Sequence, residues 1–328
     1  MKKEIPIFFT FDNNYVVPAA VAFYSLLRKA KDNIYYKMYV LHSDITENNK
    51  KLLYEIIAKC NNASLEFKNT CGFLQNEWEN GNFYGNNEKG KTQFTSDAIV
   101  KCFAARFFPE FDKIIYSDVD VVFMDDVSEL YDVDLSDKYI AAVKNAFMKF
   151  DHNELSHFSV ENYKKFKDTY FAGGIWILNL EIIRRDKIEK VMLEIINDDK
   201  IVKKWNDQDI MNISCCNKVE YISLRYISYP YILDRLFSEN FSSHFSKDEI
   251  TDSVILPKII HYAGYKPWKR TVNCGDIWWN YFNVLNLPKT KIFETNDDRV
   301  VKAKLIYKFY YAIWQTLDKK LKRKRLIT

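Results

Sequence analysis

The sequence predicts an α/β fold with a parallel sheet, and three observations support this class. Short, continuous apolar segments alternate with longer amphipathic segments through the first half of the chain, which is typical of strands covered by helices. The chain has 328 residues, of which 48% are hydrophobic and 28% are charged, enough to form one large core. The composition changes abruptly only near residue 295. We therefore expect one domain over 1–294 and a short extension over 295–328.

The elements of the first half follow from local patterns. Pro18 suits the first turn of a helix, and Thr46 suits the N-cap of the next one. The segment "NTCGFLQNEWENGNFYGNNEKGKTQF" (69–94) is rich in Asn and Gly and has no periodicity, so we expect a functional loop. The predicted strands lie at 5–10, 34–41 and 64–67, and the predicted helices at 17–30 and 46–60.

The second half continues the alternation. The segment "IIYSDVDVVF" (114–123) has the apolar pattern of one buried strand, and "FAGGIWILNL" (171–180) has that of another. The predicted helices lie at 95–108, with Thr95 or Ser96 as N-cap, at 181–198 and at 206–216.

Several protein classes are excluded by what the chain lacks. No apolar run reaches the roughly 18 residues that a membrane span needs. The N-terminal segment has no long apolar core followed by a cleavage site, so we expect no signal peptide and a cytoplasmic location. The six cysteines form no C-x-x-C pair, which favours reduced thiols.

Glycine is scarce where phosphate-binding loops need it. The first glycine is Gly72, whereas a Rossmann fingerprint or a P-loop requires clustered glycines soon after the first strand. A nucleotide diphosphate would therefore have to be neutralised by a metal ion and lysine.

Asp118 and Asp120 interrupt the apolar run of 114–123. Residues two apart on a strand face the same side, so the two carboxylates should converge. Such a pair suits Mg²⁺ or Mn²⁺, which bridge carboxylates to phosphates. The same spacing recurs at 132–134 and 207–209, where a solvated loop or a turn cap is the alternative.

Two further motifs carry polar residues next to apolar strands. In "IIHYAGYKPW" (259–268), His261 could complete a metal site and favour Mn²⁺, and Lys266 could face a phosphate; a structural histidine is the alternative. In "FFTFDNNY" (8–15), Asp12, Asn14 and Tyr15 could bind a flat heterocycle; an Asx turn that leads into the next helix is the alternative.

These motifs together resemble glycosyltransferase family 8, which includes the bacterial lipooligosaccharide α-galactosyltransferases, their glucosyltransferase-like relatives and glycogenin. The resemblance runs from about residue 5 to about residue 285 and also rests on "FAARFFPEFDKIIYSDVDVVF", "YFAGGIWILNL" and "NDQDIMN". It implies a GT-A fold, a single Rossmann-like domain with a mixed central sheet that binds a nucleotide sugar. It also implies a retaining hexosyltransferase that uses UDP-glucose or UDP-galactose and Mn²⁺, with Mg²⁺ as the alternative, and a glycan, glycolipid or glycoprotein acceptor.

The resemblance also implies roles for individual residues. Asp118, Asp120 and His261 would ligate the metal. Gln208 would lie beneath the anomeric carbon, and because an amide is a poor nucleophile we favour front-face substitution. Asp207 and Arg106 would complete the catalytic group. The donor would be bound by Thr10, Phe11, Asp12, Asn14, Tyr15, Arg106, Asp118, Val119, Asp207, Gly264 and Lys266.

The sequence departs from the family pattern at two places. Ala172 stands where relatives often carry Asn facing the sugar, and the segment between Gly264 and Lys266 is one residue shorter. Two other functions stay open: a sugar-phosphate nucleotidyltransferase, which would want a glycine-rich loop after the first strand, and a non-catalytic module that binds nucleotide sugars or glycans.

The C-terminal extension combines an amphipathic pattern with positive charge. Residues 299–328 contain ten Lys or Arg and one acid, Asp318, although the whole chain has a net charge of only +4. An amphipathic helix with a basic end could attach to the inner face of an anionic membrane, or it could pack on the body. The mildly acidic remainder argues against a nucleic-acid partner.

Overall fold

The computed structural model describes residues 2–76, 97–145, 164, 166, 168–201, 203–230 and 245–287. Most of the predicted loop 69–94, the caps Thr95 and Ser96, and the extension 295–328 lie outside these residues. The predicted attachment of the extension to a membrane therefore stays a prediction. Within the described residues, no helix combines the length and the apolarity that crossing a bilayer requires.

Nine strands and nine α-helices make up the described part of the chain. The strands are β1 (Lys3–Thr10), β2 (Ile34–His42), β3 (Ala63–Asn69), β4 (Lys113–Ser117), β5 (Val121–Phe123), β6 (Ile140–Lys144), β7 (Phe171–Asn179), β8 (Val219–Ile222) and β9 (Ile259–His261). The helices are α1 (Val16–Lys29), α2 (Glu47–Ala58), α3 (Asp97–Val100), α4 (Ala104–Phe107), α5 (Leu180–Arg185), α6 (Ile188–Asn197), α7 (Asp207–Ser214), α8 (Lys247–Ile255) and α9 (Gly275–Leu285). Thr46 caps α2 as predicted, because its side chain accepts a hydrogen bond from the backbone of Asn49.

A seven-stranded mixed sheet forms the centre of the domain, in the order β3-β2-β1-β4-β7-β6-β8. Strands β1 to β4 are parallel, as their alternation with helices predicts, whereas β7 runs antiparallel to both of its neighbours. Apolar side chains cover the sheet on both faces, in two large buried clusters. The carboxyl ends of β1 and β4 thus lie side by side, which is where an open α/β sheet collects ligands.

The predicted strand 114–123 is wrong as a single element. β4 ends at Ser117, and β5 begins at Val121 in a separate two-stranded sheet with β9. Val121 pairs with His261 in that sheet. The apolar pattern continues because both halves are buried, so the pattern could not reveal that the chain changes sheets between them.

Two predicted helices are also divided. The segment 95–108 contains α3, a 3-10 turn at Lys101–Phe103 and α4 in its described part. The segment 181–198 breaks into α5 and α6 at Lys187, which has a left-handed backbone conformation with φ of 55°. The other predicted elements agree with the structure to within a few residues at each end.

Candidate active site

The turn after β1 brings several predicted residues to the edge of the sheet. The Asp12 carboxylate accepts a hydrogen bond from the backbone N–H of Asn14 at 2.9 Å and caps a 3-10 turn at Asn13–Tyr15. The Asx turn that the sequence left open is therefore present. The Tyr15 ring meets the indole of Trp268 edge-on, with 6.0 Å between centroids. This contact joins the segment that was predicted to bind a flat heterocycle to the "HYAGYKPW" segment.

The two aspartates and the distant histidine converge as predicted. The Nε2 atom of His261 lies 3.1 Å from Oδ1 of Asp120 and 3.5 Å from Oδ2 of Asp118. One ligand atom from each of the three residues lies within 4.8 Å of the other two. Because β5 pairs with β9, residues more than a hundred positions apart meet here.

The donor set of this group fits a divalent cation. Two carboxylates and one imidazole offer hard oxygen ligands with one nitrogen, a set that suits Mn²⁺ and accepts Mg²⁺ less well. Asp120 and His261 are buried, at 8% and 6% exposure, whereas Asp118 is partly exposed. The other ring nitrogen of His261, Nδ1, has no hydrogen-bond partner among the described residues. The Nε2 atom is therefore the one directed at the aspartates.

Lys266 balances the charge of one aspartate. Its ammonium contacts the Asp120 carboxylate and donates to the backbone carbonyl of Tyr262 at 3.0 Å. Burial on its own would raise the pKa of Asp120, but Lys266 and His261 outweigh it and lower this pKa well below its ordinary value. Asp120 is thus ionised over the whole physiological range.

Lys101 balances the other aspartate, and sequence reasoning missed it. Its ammonium lies 3.3 Å from Oδ1 of Asp118 and 2.8 Å from Oδ2 of Asp207. It also lies over the rings of Tyr116 and Trp176, 4.5 Å and 4.8 Å from their centroids. Burial alone would lower the pKa of Lys101, but Asp118 and Asp207 raise it well above its ordinary value. The lysine is a permanent buried cation between two carboxylates.

Asp207 and Gln208 begin α7 and face strand β7. A Cβ placed on Gly173 would lie 3.3 Å from both Oδ2 of Asp207 and Oε1 of Gln208, so both side chains rest against this glycine. Burial raises the pKa of Asp207 to about 6, although Lys101 acts in the opposite direction. Asp209 accepts a hydrogen bond from the backbone N–H of Trp205 at 2.8 Å, whereas the N-cap of α7 is Asn206.

The remaining predicted residues have diverse surroundings. Arg106 pairs with Glu189 at 2.6 Å and lies over the rings of Phe73 and Phe103, so its contacts among the described residues lie outside the aspartate–histidine group. Gly264 has a φ of 75° and open space around its Cα. Phe11 and Val119 are buried, and Thr10 ends β1.

The second Asp-x-Asp sequence, at 132–134, forms a turn cap, as expected. The Asp134 carboxylate accepts a hydrogen bond from the backbone N–H of Ser136 at 3.0 Å. The spacing Asp-x-Asp alone therefore does not identify a candidate metal site, because it forms one at 118–120 and a turn cap at 132–134.

Comparison with known proteins decides the family. The sequence profile "Glycosyl transferase family 8" matches residues 6–272, most of the chain. The chain belongs to glycosyl transferase family 8. This confirms the resemblance predicted from the five motifs. The glucosyl- and galactosyltransferase relatives described next support the predicted hexosyltransferase class.

Two curated relatives are named as lipopolysaccharide glycosyltransferases. The lipopolysaccharide 1,2-glucosyltransferase of Escherichia coli is 24% identical over 211 residues, 61% of this chain and 59% of that enzyme. The lipopolysaccharide 1,3-galactosyltransferase of Salmonella typhimurium is 30% identical over 107 residues, 30% of this chain and 28% of that enzyme. The matched part is thus less than two thirds of either relative.

Solved structures confirm the predicted GT-A fold class. The galactosyltransferase LgtC, in complex with donor and acceptor sugar analogues, superposes with a TM-score of 0.70 at 22% identity, over 87% of this chain and 98% of LgtC. The bifunctional glycosyltransferase WbbM superposes with a TM-score of 0.67 at 23% identity, over 86% of this chain and 50% of WbbM.

Proposed function

We propose that this chain transfers glucose or galactose from a UDP-sugar to a glycan, glycolipid or glycoprotein acceptor, with Mn²⁺ as its metal and with retention of the anomeric configuration. The observation that carries the proposal is the convergence of Asp118, Asp120 and His261 within 4.8 Å at the end of β4. Family membership and the glucosyl- and galactosyltransferase relatives support the reaction class. They also disfavour the nucleotidyltransferase alternative.

Asp118, Asp120 and His261 would hold the ion, which when bound supplies a Lewis acid for the departing diphosphate. Lys266 adds a positive charge beside the Asp120 carboxylate and would stabilise the charge that builds on UDP. Tyr15, at the carboxyl end of β1, offers a ring for uracil. Each of these groups acts on the leaving nucleotide.

Lys101, Asp207 and Gln208 would act on the sugar side. Lys101 fixes the Asp207 carboxylate at 2.8 Å, so that carboxylate is oriented for hydrogen bonds to sugar hydroxyls and is less available as a nucleophile. Gln208, resting against Gly173 beside Asp207, is a neutral amide that could stabilise positive charge at the anomeric carbon. Neither is a strong nucleophile, which supports front-face substitution. Arg106 keeps its predicted role only if it leaves Glu189.

A donor assay with a matched pair of variants tests the function. The wild-type protein is incubated with Mn²⁺ and UDP-glucose or UDP-galactose, and released UDP is measured with and without oligosaccharide acceptors. We expect release that is lost in Asp120→Ala and retained in Asp134→Ala, which removes an aspartate from the Asp-x-Asp sequence at 132–134. Equal release by both variants would refute the metal site. Binding of UDP-sugars with no turnover on any acceptor would favour the non-catalytic module.

A further inference from the structure

Strand β7 carries two consecutive glycines where it passes the candidate site. Glycine weakens a strand because it adds no packing and costs conformational entropy. Among the described glycines, positive φ values occur at Gly72 and Gly264, so Gly173 and Gly174 have backbone conformations that any residue can adopt. The reason for glycine at these two positions is therefore space, not backbone conformation.

The space beside Gly174 is filled by the imidazole of His261. A Cβ on Gly174 would lie 2.5 Å from both Cε1 and Nδ1 of His261, and 3.0 Å from Cδ1 of Ile227. Side-chain carbons do not approach other atoms to 2.5 Å, so one of the groups would have to move. The Nδ1–Cε1 bond of the imidazole is thus packed directly on the backbone of Gly174.

His261 has little freedom to move away as a whole. Its backbone N–H donates to the carbonyl of Ser228 at 2.9 Å, and its backbone pairs with Val121 in the small sheet. The ring of Tyr229 lies against it, with 5.5 Å between centroids. A methyl group at position 174 would therefore be accommodated by rotation of the imidazole. That rotation would carry Nε2 away from Asp118 and Asp120.

Gly173 faces different groups and leaves more space for an added side chain. A Cβ there would lie 3.3 Å from the ends of the Asp207 and Gln208 side chains, so these atoms would have to shift by only a few tenths of an ångström. Gly173 is adjacent in sequence and on the same strand but faces away from His261. It is a matched control for Gly174.

We infer that Gly174 is a positioning residue for the metal site: the lack of a side chain there lets His261 lie with Nε2 between the two aspartates. The backbone of Gly174 serves the same purpose on the other side, since its carbonyl accepts the N–H of Asp118 at 2.9 Å. One residue thus positions two ligands. The inference about packing is independent of the proposed function, whereas the inference about metal binding rests on the proposed function.

A stability cycle without metal tests the packing. Thermal unfolding is followed by circular dichroism for Gly174→Ala, His261→Ala and the double variant, in the presence of a chelator. We expect Gly174→Ala to lower the melting temperature in the wild-type background and to have a much smaller effect in the His261→Ala background, where the imidazole is gone. An equal decrease in both backgrounds would overturn the inference. If Gly174→Ala fails to fold, folding of the double variant supports the inference and its failure overturns it.

Metal binding is then measured directly with Mn²⁺ as the probe. Free Mn²⁺ is followed by electron paramagnetic resonance during titration, and the hyperfine coupling of the imidazole nitrogen is recorded on the bound ion. We expect Gly174→Ala to bind about 10- to 100-fold more weakly, the range for residues that orient metal ligands, and to lose the nitrogen coupling. Gly173→Ala should retain both. Unchanged coupling in Gly174→Ala would overturn the metal part. Absence of Mn²⁺ binding in the wild type would instead refute the proposed function and leave the stability cycle to decide the packing.

Discussion

Replacing Lys101 by methionine should strongly destabilise the protein, although it removes only one charge. The ammonium lies 2.8 Å from Asp207 and 3.3 Å from Asp118, and Lys101 is only 4% exposed. At an effective dielectric constant of about 20, unit charges at these distances attract by roughly 6 and 5 kcal/mol. Desolvation of the three groups offsets much of this attraction in the folded protein.

The size of the expected loss in the free energy of unfolding follows from the two carboxylates that lose their partner. Methionine fills a similar volume, so the substitution creates little cavity, but Asp118 and Asp207 both lose the ammonium that lies between them. Removing one partner of a buried ion pair costs about 3–5 kcal/mol. We expect a loss of this size in the free energy of unfolding.

The assay is equilibrium unfolding in urea, measured on the metal-free protein at pH 7.5. Lys37→Met is the control, because Lys37 pairs with Glu4 at the surface, and exposed pairs contribute little to stability. Lys101→Met should also cost less in an Asp207→Asn background, where one of the two carboxylates is already neutral. A loss below about 1 kcal/mol in Lys101→Met would show that the lysine does not compensate the buried carboxylates.

Three other predictions concern Asp207, Tyr15 and Thr46. The pKa of Asp207 is about 6 in the folded protein against an ordinary 3.8. The contribution of the protonated Asp207 side chain to the free energy of unfolding is therefore complete below pH 3.8 and is lost as the pH rises through 6. The unfolding free energy of the wild type should fall by about 3 kcal/mol relative to Asp207→Asn over that range, measured by urea unfolding; parallel curves would contradict this. Tyr15→Ala should weaken UDP binding by roughly 10- to 100-fold in calorimetry, the value of one stacked base, whereas Tyr15→Phe should retain it; equal losses would exclude stacking. Thr46→Ala should cost about 1 kcal/mol of stability, because it removes the N-cap of α2; no change would mean that solvent replaces the cap.

The sequence was informative where one local pattern decides the structure. The first three strands and α2 with its Thr46 cap depend on short-range apolar periodicity and on capping chemistry. The prediction of the aspartate–histidine group depends on motifs whose order along the chain is specific to a family. Asp118, Asp120 and His261 could therefore be predicted together although nothing local connects them.

Lys101 was missed because the segment contains two basic residues, Lys101 and Arg106, and only one of them was assigned to the site. Arg106 was assigned to the site, but the 3-10 turn between α3 and α4 directs Lys101 inwards, while Arg106 pairs with Glu189. A signal was present: Lys101 lies within the apolar stretch "AIVKCFAA" (98–105), where a solvated lysine is unexpected. A charged residue in an apolar run needs a buried partner, and the partners were the aspartates already identified.

The break between β4 and β5 anchors the two aspartates of the candidate metal site to different sheets. On a continuous strand, the Cα atoms of Asp118 and Asp120 would be separated by about 6.6 Å and the backbone of Val119 would be held by ladder hydrogen bonds. In the structure, Asp118 is still fixed to β7 by its N–H, whereas the Asp120 carbonyl already accepts the N–H of Tyr262 beyond β9. The two carboxylates are thus anchored to two different sheets that meet at this point. This junction also places His261 opposite Val121, so leaving the main sheet, which the apolar pattern concealed, is the step that assembles the site.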